Sequence, residues 1–519
     1  MTRRRTVDQK IAVTTATEIE LKLAVAEAGV AALKRHKVLA AASKPARQRL
    51  RAIYFDTPEL ALRAQRCALR VRRAGRTWVQ TFKSGGAASA GLHTRAEAEF
   101  TVAGPALDLA RLRDVHGAEI LRRKRVAGRI IPVFETDFTR TAWTVTAGDG
   151  SVVEIALDQG DVWSAGRNAA LCELELELMS GDPAALYRIA YALQESALLI
   201  PLDASKAERG YRLYCDDDAA PVKAEAVPLT RAMPPDRAMR IVIASCVAQL
   251  QANVEGARLG ADPEFLHQAR VALRRLRAAF ALFAPKVTGQ SPPYASLRGA
   301  LRALADKLGQ GRDWDVFVDD TLAPVCARFE HDRGLAALLL AARRQRESSA
   351  RQVRGALEAP AYARLLLELS QAISGAGTED QNGLVDGRIS LRALARAQLA
   401  RRHRRLIRDS AKIGQGDDMA RHRLRIVAKK QRYAAEYFTG LFDASAVARY
   451  VKVLSALQDL LGRMNDIVTA RVLLDGLAPG AASRVTVDAW LAAKADDALR
   501  DLGPACARIA AAARFWKQE

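Results

Sequence analysis

Glu18-Ile19-Glu20-Leu21-Lys22 is the stretch of this chain that says most about its fold. In an extended strand successive side chains point to opposite faces, so the two glutamates and the lysine share one face. The intervening isoleucine and leucine share the other face. Two carboxylates beside an ammonium group predict the wall of a site that holds a metal ion together with a polyanion.

Charged and apolar residues alternate in the same way along several later segments, up to about residue 215. Arg70 and Arg72 share one face of their segment, and Glu173, Glu175 and Glu177 share one face of another. Many strand-like segments with short helical stretches between them predict a closed antiparallel sheet with helices packed outside. Such a barrel would turn the charges inward, whereas an open sheet would leave them as a solvated face.

The pattern changes to helical periodicity after residue 235, and this second half contains an internal repeat. Residues 267–277 match residues 422–432, and residues 308–313 match residues 461–466 at nearly the same offset. Two matched pairs at nearly the same offset predict a duplicated helical unit.

The domain boundaries follow from these changes of pattern. We expect a basic tail over 1–13, a strand-rich α+β domain over 14–215, an acidic and proline-rich linker over 216–235, and an all-α domain over 236–515. The two halves of the duplicated domain are expected at about 236–375 and 388–515.

Bulk composition limits the class of partner. With 519 residues the chain is long enough for two or more domains, and its net charge of +22 predicts a polyanionic partner. The six cysteines form no CxxC pair, which fits a reducing compartment. No apolar run approaches the ~20 residues of a membrane span, so a cytoplasmic location without a membrane partner is expected.

The motif at residues 18–22 resembles the ExExK signature of the CYTH family, the triphosphate tunnel metalloenzymes. Later motifs of that family follow in order at Arg70-Val71-Arg72, Thr81-Phe82-Lys83, Glu173-Leu174-Glu175 and Ser205-Lys206-Ala207-Glu208-Arg209-Gly210-Tyr211. The resemblance implies an eight-stranded antiparallel tunnel that acts on triphosphates with Mg²⁺ or Mn²⁺.

It also implies roles for individual residues. Metal ligands would be Glu18, Glu20, Glu173 and Glu175, assisted by Asp158 and Glu97. Phosphate-holding residues would be Lys22, Arg70, Arg72, Lys83, Arg140 and Lys206. Glu18, Glu20, Lys22 and Lys83 would be the catalytic group. Two placements stay open, because Glu99 is an alternative to Glu97 and Glu177 extends the acidic strand.

The helical half carries two matched cationic stripes. His267, Arg270, Arg274 and Arg277 lie along one helix face, His422, Arg425, Lys429 and Arg432 lie along its repeat, and Arg275 and Lys430 flank them. Facing stripes of like charge would repel, so an anion is expected between them; a solvated helix face is the alternative. These segments resemble the two signatures of the CHAD domain, which implies paired helical bundles with a basic groove for inorganic polyphosphate.

The expected function is therefore metal-dependent hydrolysis of inorganic triphosphate by a protein with a polyphosphate-binding module. Association with polyphosphate granules is expected, and an obligate protein partner is not. A nucleoside or thiamine triphosphatase and an adenylate cyclase are alternatives on the same barrel. A non-enzymatic polyanion scaffold is a third alternative. Nucleic acid is not the expected ligand, because aromatic residues are only 6% of the chain and do not interleave with the basic stripes.

Overall fold

The structure is a computed structural model that describes residues 17–216, 220–287, 292–375, 389–413 and 418–517. The predicted basic tail 1–13 lies outside the described residues. The chain divides into two compact units, Met1–Ala219 with Leu366–Gly377, and Ala220–Leu365 with Thr378–Glu519. The domain boundaries proposed from sequence stay predictions.

Nine strands of the described residues form one antiparallel sheet in the first unit. They are β1 Thr17–Val25, β2 Ala46–Asp56, β3 Ala68–Ala74, β4 Thr77–Ser89, β5 Leu92–Val102, β6 Ile131–Thr146, β7 Val152–Ser164, β8 Arg167–Ser180 and β9 Leu199–Pro201.

The sheet closes on itself, because β1 pairs with β8 on one side and with β5 on the other. The order β5-β4-β3-β2-β6-β7-β8-β1 thus makes an eight-stranded barrel of the described residues, and short β9 adds to the end of β1. The antiparallel eight-stranded fold predicted from sequence is confirmed.

Strand alternation explains how the barrel is filled and covered. Leu21 and Leu23 of β1 are fully buried in an apolar cluster with Leu174 and Leu176 of β8. Tyr187, which lies on a helix outside the barrel, belongs to the same cluster. The residues between these leucines must point the opposite way, into the barrel. Helices of the unit are α1 Val30–Lys34, α2 Lys37–Ala40, α3 Ala61–Ala64, α4 Lys124–Ala127, α5 Ala184–Leu193 and α6 Lys206–Cys215.

From Pro235 onward the described residues of the second unit are mainly helical, and its segment 220–234 precedes the first helix. Its helices are α7 Pro235–Leu259, α8 Pro263–Val287, α9 Pro292–Val316, α10 Ala323–Arg328, α11 Arg333–Leu357, α12 Pro360–Ser374, α13 Leu391–Ser410, α14 Asp418–Tyr437, α15 Ala444–Gly476 and α16 Ala481–Ala511. The last part of α12, from Leu366, belongs with the first unit. The multidomain prediction, with an all-α second part, is confirmed.

The internal repeat occupies corresponding helices. Its first motif lies on α8 and α14, and its second motif lies on α9 and α15. Helix α8 begins at Pro263 because the Asp262 carboxylate accepts the backbone N–H of Glu264 at 2.7 Å. None of the described helices is long and apolar enough to cross a membrane.

Candidate functional site

A polar cavity of about 250 Å³ lies inside the barrel. Among the described residues, six carboxylates and six cationic side chains line it. The carboxylates are Glu18, Glu20, Glu97, Glu99, Glu175 and Glu177, and the cations are Lys22, Arg70, Arg72, Lys83, Arg140 and Lys206. The structure thus brings together ten of the twelve site residues proposed from sequence.

One wall of the cavity joins strands β3, β4 and β5. Lys83 Nζ lies 3.1 Å from Glu18 Oε2 and 2.8 Å from Glu97 Oε2. Arg72 lies 3.4 Å from Glu99, and its neighbour Arg70 lowers the pKa of the Arg72 guanidinium. Because Arg70 and Arg72 repel each other at close range, an anion with several negative oxygens would be stabilised between them.

The adjoining part of the wall is built on β1 and β8, where β1 pairs with β5. Lys22 lies 3.0 Å from Glu20 and also pairs with Glu175. Burial alone would raise the pKa of Glu175, but Lys206, Lys22 and Arg140 together hold it well below its usual range. Glu175 is therefore a permanent anion that anchors cations of the cavity.

Two predicted metal ligands, Asp158 and Glu173, do not line the cavity. Both are fully buried, and Lys206 reaches over them from the first turn of α6, with Nζ 2.7 Å from Asp158 and a hydrogen bond to Glu173. Arg140 is bidentate to Asp158 at 2.8 and 2.7 Å, and Arg209 lies 3.3 Å from Glu173. The structure places these two acids in an ion-pair network that positions Lys206 and Arg140.

Glu177 and Tyr54 line the cavity, although sequence reasoning left the first open and missed the second. Burial and the neighbouring Glu18 and Glu20 raise the pKa of Glu177 to about 7. The Tyr54 hydroxyl accepts a hydrogen bond from Arg70 at 3.4 Å, and although its burial acts in the opposite direction, Arg70 and Lys206 lower its pKa. The continued alternation Glu173-Glu175-Glu177 was the only signal for Glu177.

The donor set fits a hard divalent cation. Glu18, Glu20 and Glu177 are cavity carboxylates on adjacent strands, and burial raises the pKa of Glu20 as well. Asp158, Glu173 and Glu175 form the one group within the described ranges whose ligand atoms all lie within 4.8 Å of each other. Lys206, Arg140, Lys22 and Arg209 already pair with the acids of that group. Glu18 and Glu20 have one lysine partner each, and Glu177 has no ion pair within the described residues, so these three are the acids that an added cation would stabilise most.

In the second unit the two stripes meet. Arg270 and Arg274 of α8 lie close enough to Arg425 and Lys429 of α14 to act on each other's charge, and we name these four residues the central cluster. Burial, followed by Arg425, Arg274 and Arg270, lowers the pKa of Lys429 to about 6. Positive charges repel one another within the cluster, so an anion bound among these side chains would be stabilised.

The histidines that head the stripes differ. Burial, followed by Arg274 and Arg312 against the opposing charge of Glu264, lowers the pKa of His267 to about 4. His267 is therefore neutral at neutral pH and donates at most one N–H to an anion. His422 is exposed, and its Nδ1 lies 3.1 Å from Asn465 Oδ1.

Besides the two histidines, four cations of the stripes and their flanks lie outside the central cluster. Arg275 is only 2% exposed and donates to Gln249 at 2.9 Å, so the structure gives it a packing role. Arg432 pairs with Glu436 at 3.2 Å. Arg277 and Lys430 are exposed.

Sequence reasoning noticed the second repeat motif but assigned it no role. Asp313 lies 3.7 Å from Arg270, and its repeat counterpart Asp466 acts on Arg425. A Cβ at Gly309 would lie 2.9 Å from Arg270 Nη1, so this glycine makes room for the guanidinium. The repeated spacing of the two motifs within the chain was the signal that could have linked them to the stripes.

Comparisons with known proteins identify both domains. The CYTH domain family matches residues 16–211, and the CHAD domain family matches residues 241–475. The chain therefore belongs to the proteins that join a CYTH domain to a CHAD domain.

Individual relatives match one or both domains. The chain is 32% identical over 161 residues to an inorganic triphosphatase of Haemophilus influenzae, in a match that covers 31% of this chain and 44% of that protein. This chain thus spans less than half the length of that relative. It is 28% identical over 466 residues to an uncharacterized protein of Mycobacterium tuberculosis, covering 82% and 81% of the two chains.

Among solved structures, the CHAD domain from the plant Ricinus communis is similar, with a TM-score of 0.50 and 30% identity. The match covers 57% of this chain and 99% of that one. This likeness supports the duplicated helical fold of the second unit.

Proposed function

We propose that the protein hydrolyses inorganic triphosphate to pyrophosphate and phosphate, and that its CHAD domain binds inorganic polyphosphate. One cavity that unites six carboxylates with six cations carries the first part of this proposal. A solely anion-binding site would have no use for the acids, and a solely metal-binding site would have no use for the arginines. The triphosphatase relative supports the same reaction class.

The cations of the cavity hold the substrate. Arg70 and Arg72 offer planar forks to phosphate oxygens, and Lys83 and Lys22 offer point charges. Each charge-assisted hydrogen bond contributes roughly 1.5–3 kcal/mol, so several of them both bind and orient a short phosphate chain.

The carboxylates Glu18, Glu20 and Glu177 would hold Mg²⁺ or Mn²⁺. When bound, the ion neutralises charge that develops on the terminal phosphoryl group. A cavity carboxylate that the ion does not hold takes the proton of the attacking water. The new P–O bond forms as the bridging P–O bond breaks, and pyrophosphate leaves with the electron pair.

The lining of the cavity favours an inorganic substrate over a nucleotide. Besides charged residues it contains Tyr54, Ala68, Phe138, Ser205 and Ala207, and Phe138 lies 5.1 Å from the Lys206 ammonium. An adenine or thiazole ring would require a larger apolar surface than these side chains provide.

The central cluster is the basis for polyphosphate binding. Buried guanidinium Nε atoms of Arg270, Arg274 and Arg425 have no hydrogen-bond partner within the described part of the chain. Buried unpaired donors are costly, and phosphate oxygens would satisfy them. The proposed partners are thus inorganic triphosphate at the barrel and polyphosphate at the helical domain.

Phosphate release from tripolyphosphate tests the enzymatic part, measured with Mg²⁺, with Mn²⁺ and with chelator. ATP and thiamine triphosphate are assayed side by side. Turnover of tripolyphosphate that requires the metal and exceeds that of both organic triphosphates is expected; preferred hydrolysis of either organic substrate would contradict the inorganic assignment.

Two variants separate the domains. Glu175→Ala should abolish turnover while the chain still binds polyphosphate. Arg274→Ala with Lys429→Ala should weaken polyphosphate binding, measured in competition with DNA at fixed salt, while turnover stays unchanged. Loss of both activities in either variant would contradict separate sites.

A further inference from the structure

A second group of cations lies beside the central cluster. It consists of Arg277 on α8, Arg298 on α9, Arg402 and Arg405 on α13, and Lys430 on α14, and we name it the lateral cluster. Four helices contribute to it, so it is not the solvated face of one helix. Arg277, Arg298, Arg405 and Lys430 are exposed and accessible to a ligand.

Two hydrogen bonds define where these helices meet. Arg402 donates to the carbonyl of Ala281 at 3.2 Å, and Ala281 lies one turn beyond Arg277 on the same face of α8. Gln431, next to Lys430, donates to the carbonyl of Leu399 at 3.5 Å, one turn before Arg402. The α13 arginines therefore lie where α8 and α14 also present their cations.

The cations of the lateral cluster repel one another. After burial, the charges of Arg402, Arg405, Arg277 and Arg298 lower the pKa of Lys430. Burial, together with Arg401 and Arg405, lowers the pKa of Arg402 to about 10. Of the five cations in the lateral cluster, only Arg405 has a carboxylate partner among the described residues, Asp409 at 3.5 Å. The buried Arg402 Nε has no hydrogen-bond partner in the described part of the chain.

The lateral cluster has no equivalent at the corresponding positions of the internal repeat. The repeat counterpart of Lys430 is Arg275, which is buried and bonded to Gln249. The counterpart of Arg277 is Arg432, which pairs with Glu436. At each of these two repeat positions, one copy is buried or ion-paired, and the other copy is exposed and belongs to the lateral cluster.

We propose that the lateral cluster is a second anion subsite, which binds a stretch of a phosphate chain whose neighbouring stretch occupies the central cluster. This inference rests on the proposed binding of polyphosphate and specifies its ligand as a long chain. Arg274 of the central cluster and Arg277 of the lateral cluster are three residues apart on α8, about 4.5 Å along the axis. A chain that leaves the first subsite enters the second at high effective concentration, whereas tripolyphosphate fills only one.

The test uses the full chain with chelator present, so that no substrate is consumed. A fluorescent long-chain polyphosphate is displaced by unlabelled long-chain polyphosphate or by excess tripolyphosphate. The variant is Arg298→Ala with Lys430→Ala, because both residues are exposed and have no ion pair within the described ranges. Arg344→Ala with Arg351→Ala removes the same charge from exposed positions of α11 and is the matched control.

The lateral variant should lose about tenfold in affinity for the long chain, as expected for two charge-assisted contacts at an exposed site. Because the labelled long chain binds more weakly to this variant, a lower concentration of tripolyphosphate should displace it. The affinity for the long chain should also depend less steeply on salt concentration. Arg277→Gln, a second exposed variant, should act in the same direction, and the control pair should stay within about twofold.

Lateral and control variants that behave alike would overturn the inference. Equal weakening for the long chain and tripolyphosphate would also overturn it, because the cluster would then serve the central cluster alone. If the unaltered chain fails to bind long-chain polyphosphate, the proposed function itself fails. If Arg274→Ala with Lys429→Ala abolishes binding while the lateral variant matches its control, only this inference fails.

Discussion

Glu20 of β1 lies directly opposite Glu177 of β8 in the antiparallel register of the barrel, and Lys22 lies opposite Glu175 in the next inward-facing pair. Side chains opposite each other on adjacent strands are close neighbours, and like charges in such pairs are destabilising. The second pair is compensated, but Glu177 has no ion pair with a cationic side chain within the described residues. The first pair therefore marks where an added cation would stabilise the barrel.

Replacing Glu177 with glutamine should remove part of that cation site. We expect turnover of tripolyphosphate to fall by about 100-fold, because an essential ligand is lost. The increase in melting temperature that Mg²⁺ or Mn²⁺ produces should shrink as well, whereas stability in chelator should not fall, since a repelled carboxylate has been removed. Steady-state kinetics and thermal melting with and without metal measure these effects.

Glu154→Gln is the control for this variant, because Glu154 pairs with Glu177 in the sheet but does not line the cavity. It should keep turnover within about threefold of the unaltered protein. A Glu177 variant that keeps both its turnover and the metal-induced rise in melting temperature would exclude Glu177 as a ligand of the cation.

Arg72→Ala should lower kcat/KM for tripolyphosphate by about 10- to 100-fold, since one charge-assisted hydrogen bond to a phosphate oxygen is lost. Arg49→Ala is the matched control. Arg49 lies on β2 outside the barrel, is 76% exposed and pairs with Asp137. Initial rates over a substrate series measure both variants, and equal losses in the two would exclude a specific role for Arg72.

Polyphosphate binding by the helical domain should weaken as pH rises from about 6 to 9. The pKa of Lys429 is lowered to about 6 in the free protein, so above that pH the amine is mostly neutral. A bound polyanion raises this pKa again, so binding takes up a proton and each rise in pH opposes it.

Titration at fixed salt measures this dependence. The Lys429→Arg variant should bind with little change over the same range, because arginine stays protonated. His267 does not interfere, since its pKa is lowered to about 4, outside this window. If the affinity for polyphosphate depends on pH equally in the unaltered protein and in the Lys429→Arg variant, a group other than Lys429 takes up the proton on binding.

Gly309→Ala should weaken polyphosphate binding without unfolding the domain. The added Cβ would lie 2.9 Å from Arg270 Nη1, the end of a flexible side chain, so the guanidinium must move out of the central cluster. Alanine also has a higher helix propensity than glycine by about 1 kcal/mol, so the melting temperature should not fall. We expect about a threefold to tenfold loss of affinity, measured by titration.

Gly462→Ala is the control, because Gly462 is the repeat counterpart of Gly309 and a methyl group added there would meet no heavy atom of the described residues within 4 Å. It should gain the same helix propensity and keep its affinity. Equal affinity of the two alanine variants would show that the position of Arg270 does not matter for binding.

Local pattern was sufficient for the face of each strand and helix. Alternation at Glu18 and Glu20 predicts that both point to one side, and they do line one cavity. Helical spacing puts Arg270 and Arg274 on one face of α8, and the repeat predicts Arg425 and Lys429 on α14. These features depend only on backbone geometry, which adjacent residues determine.

The sequence by itself therefore determined the barrel, the duplicated helical domain and the kinds of charge that each presents. Only the tertiary structure decided which acids of β8 reach the cavity, because Lys206 arrives from α6 and covers Glu173 while Glu177 stays open. It likewise decided that Arg275 packs against Gln249 whereas Lys430 faces outward. Strand and helix periodicity specify a direction for each side chain, but the neighbours that cover it come from distant parts of the chain, so its exposure is a property of the packed fold.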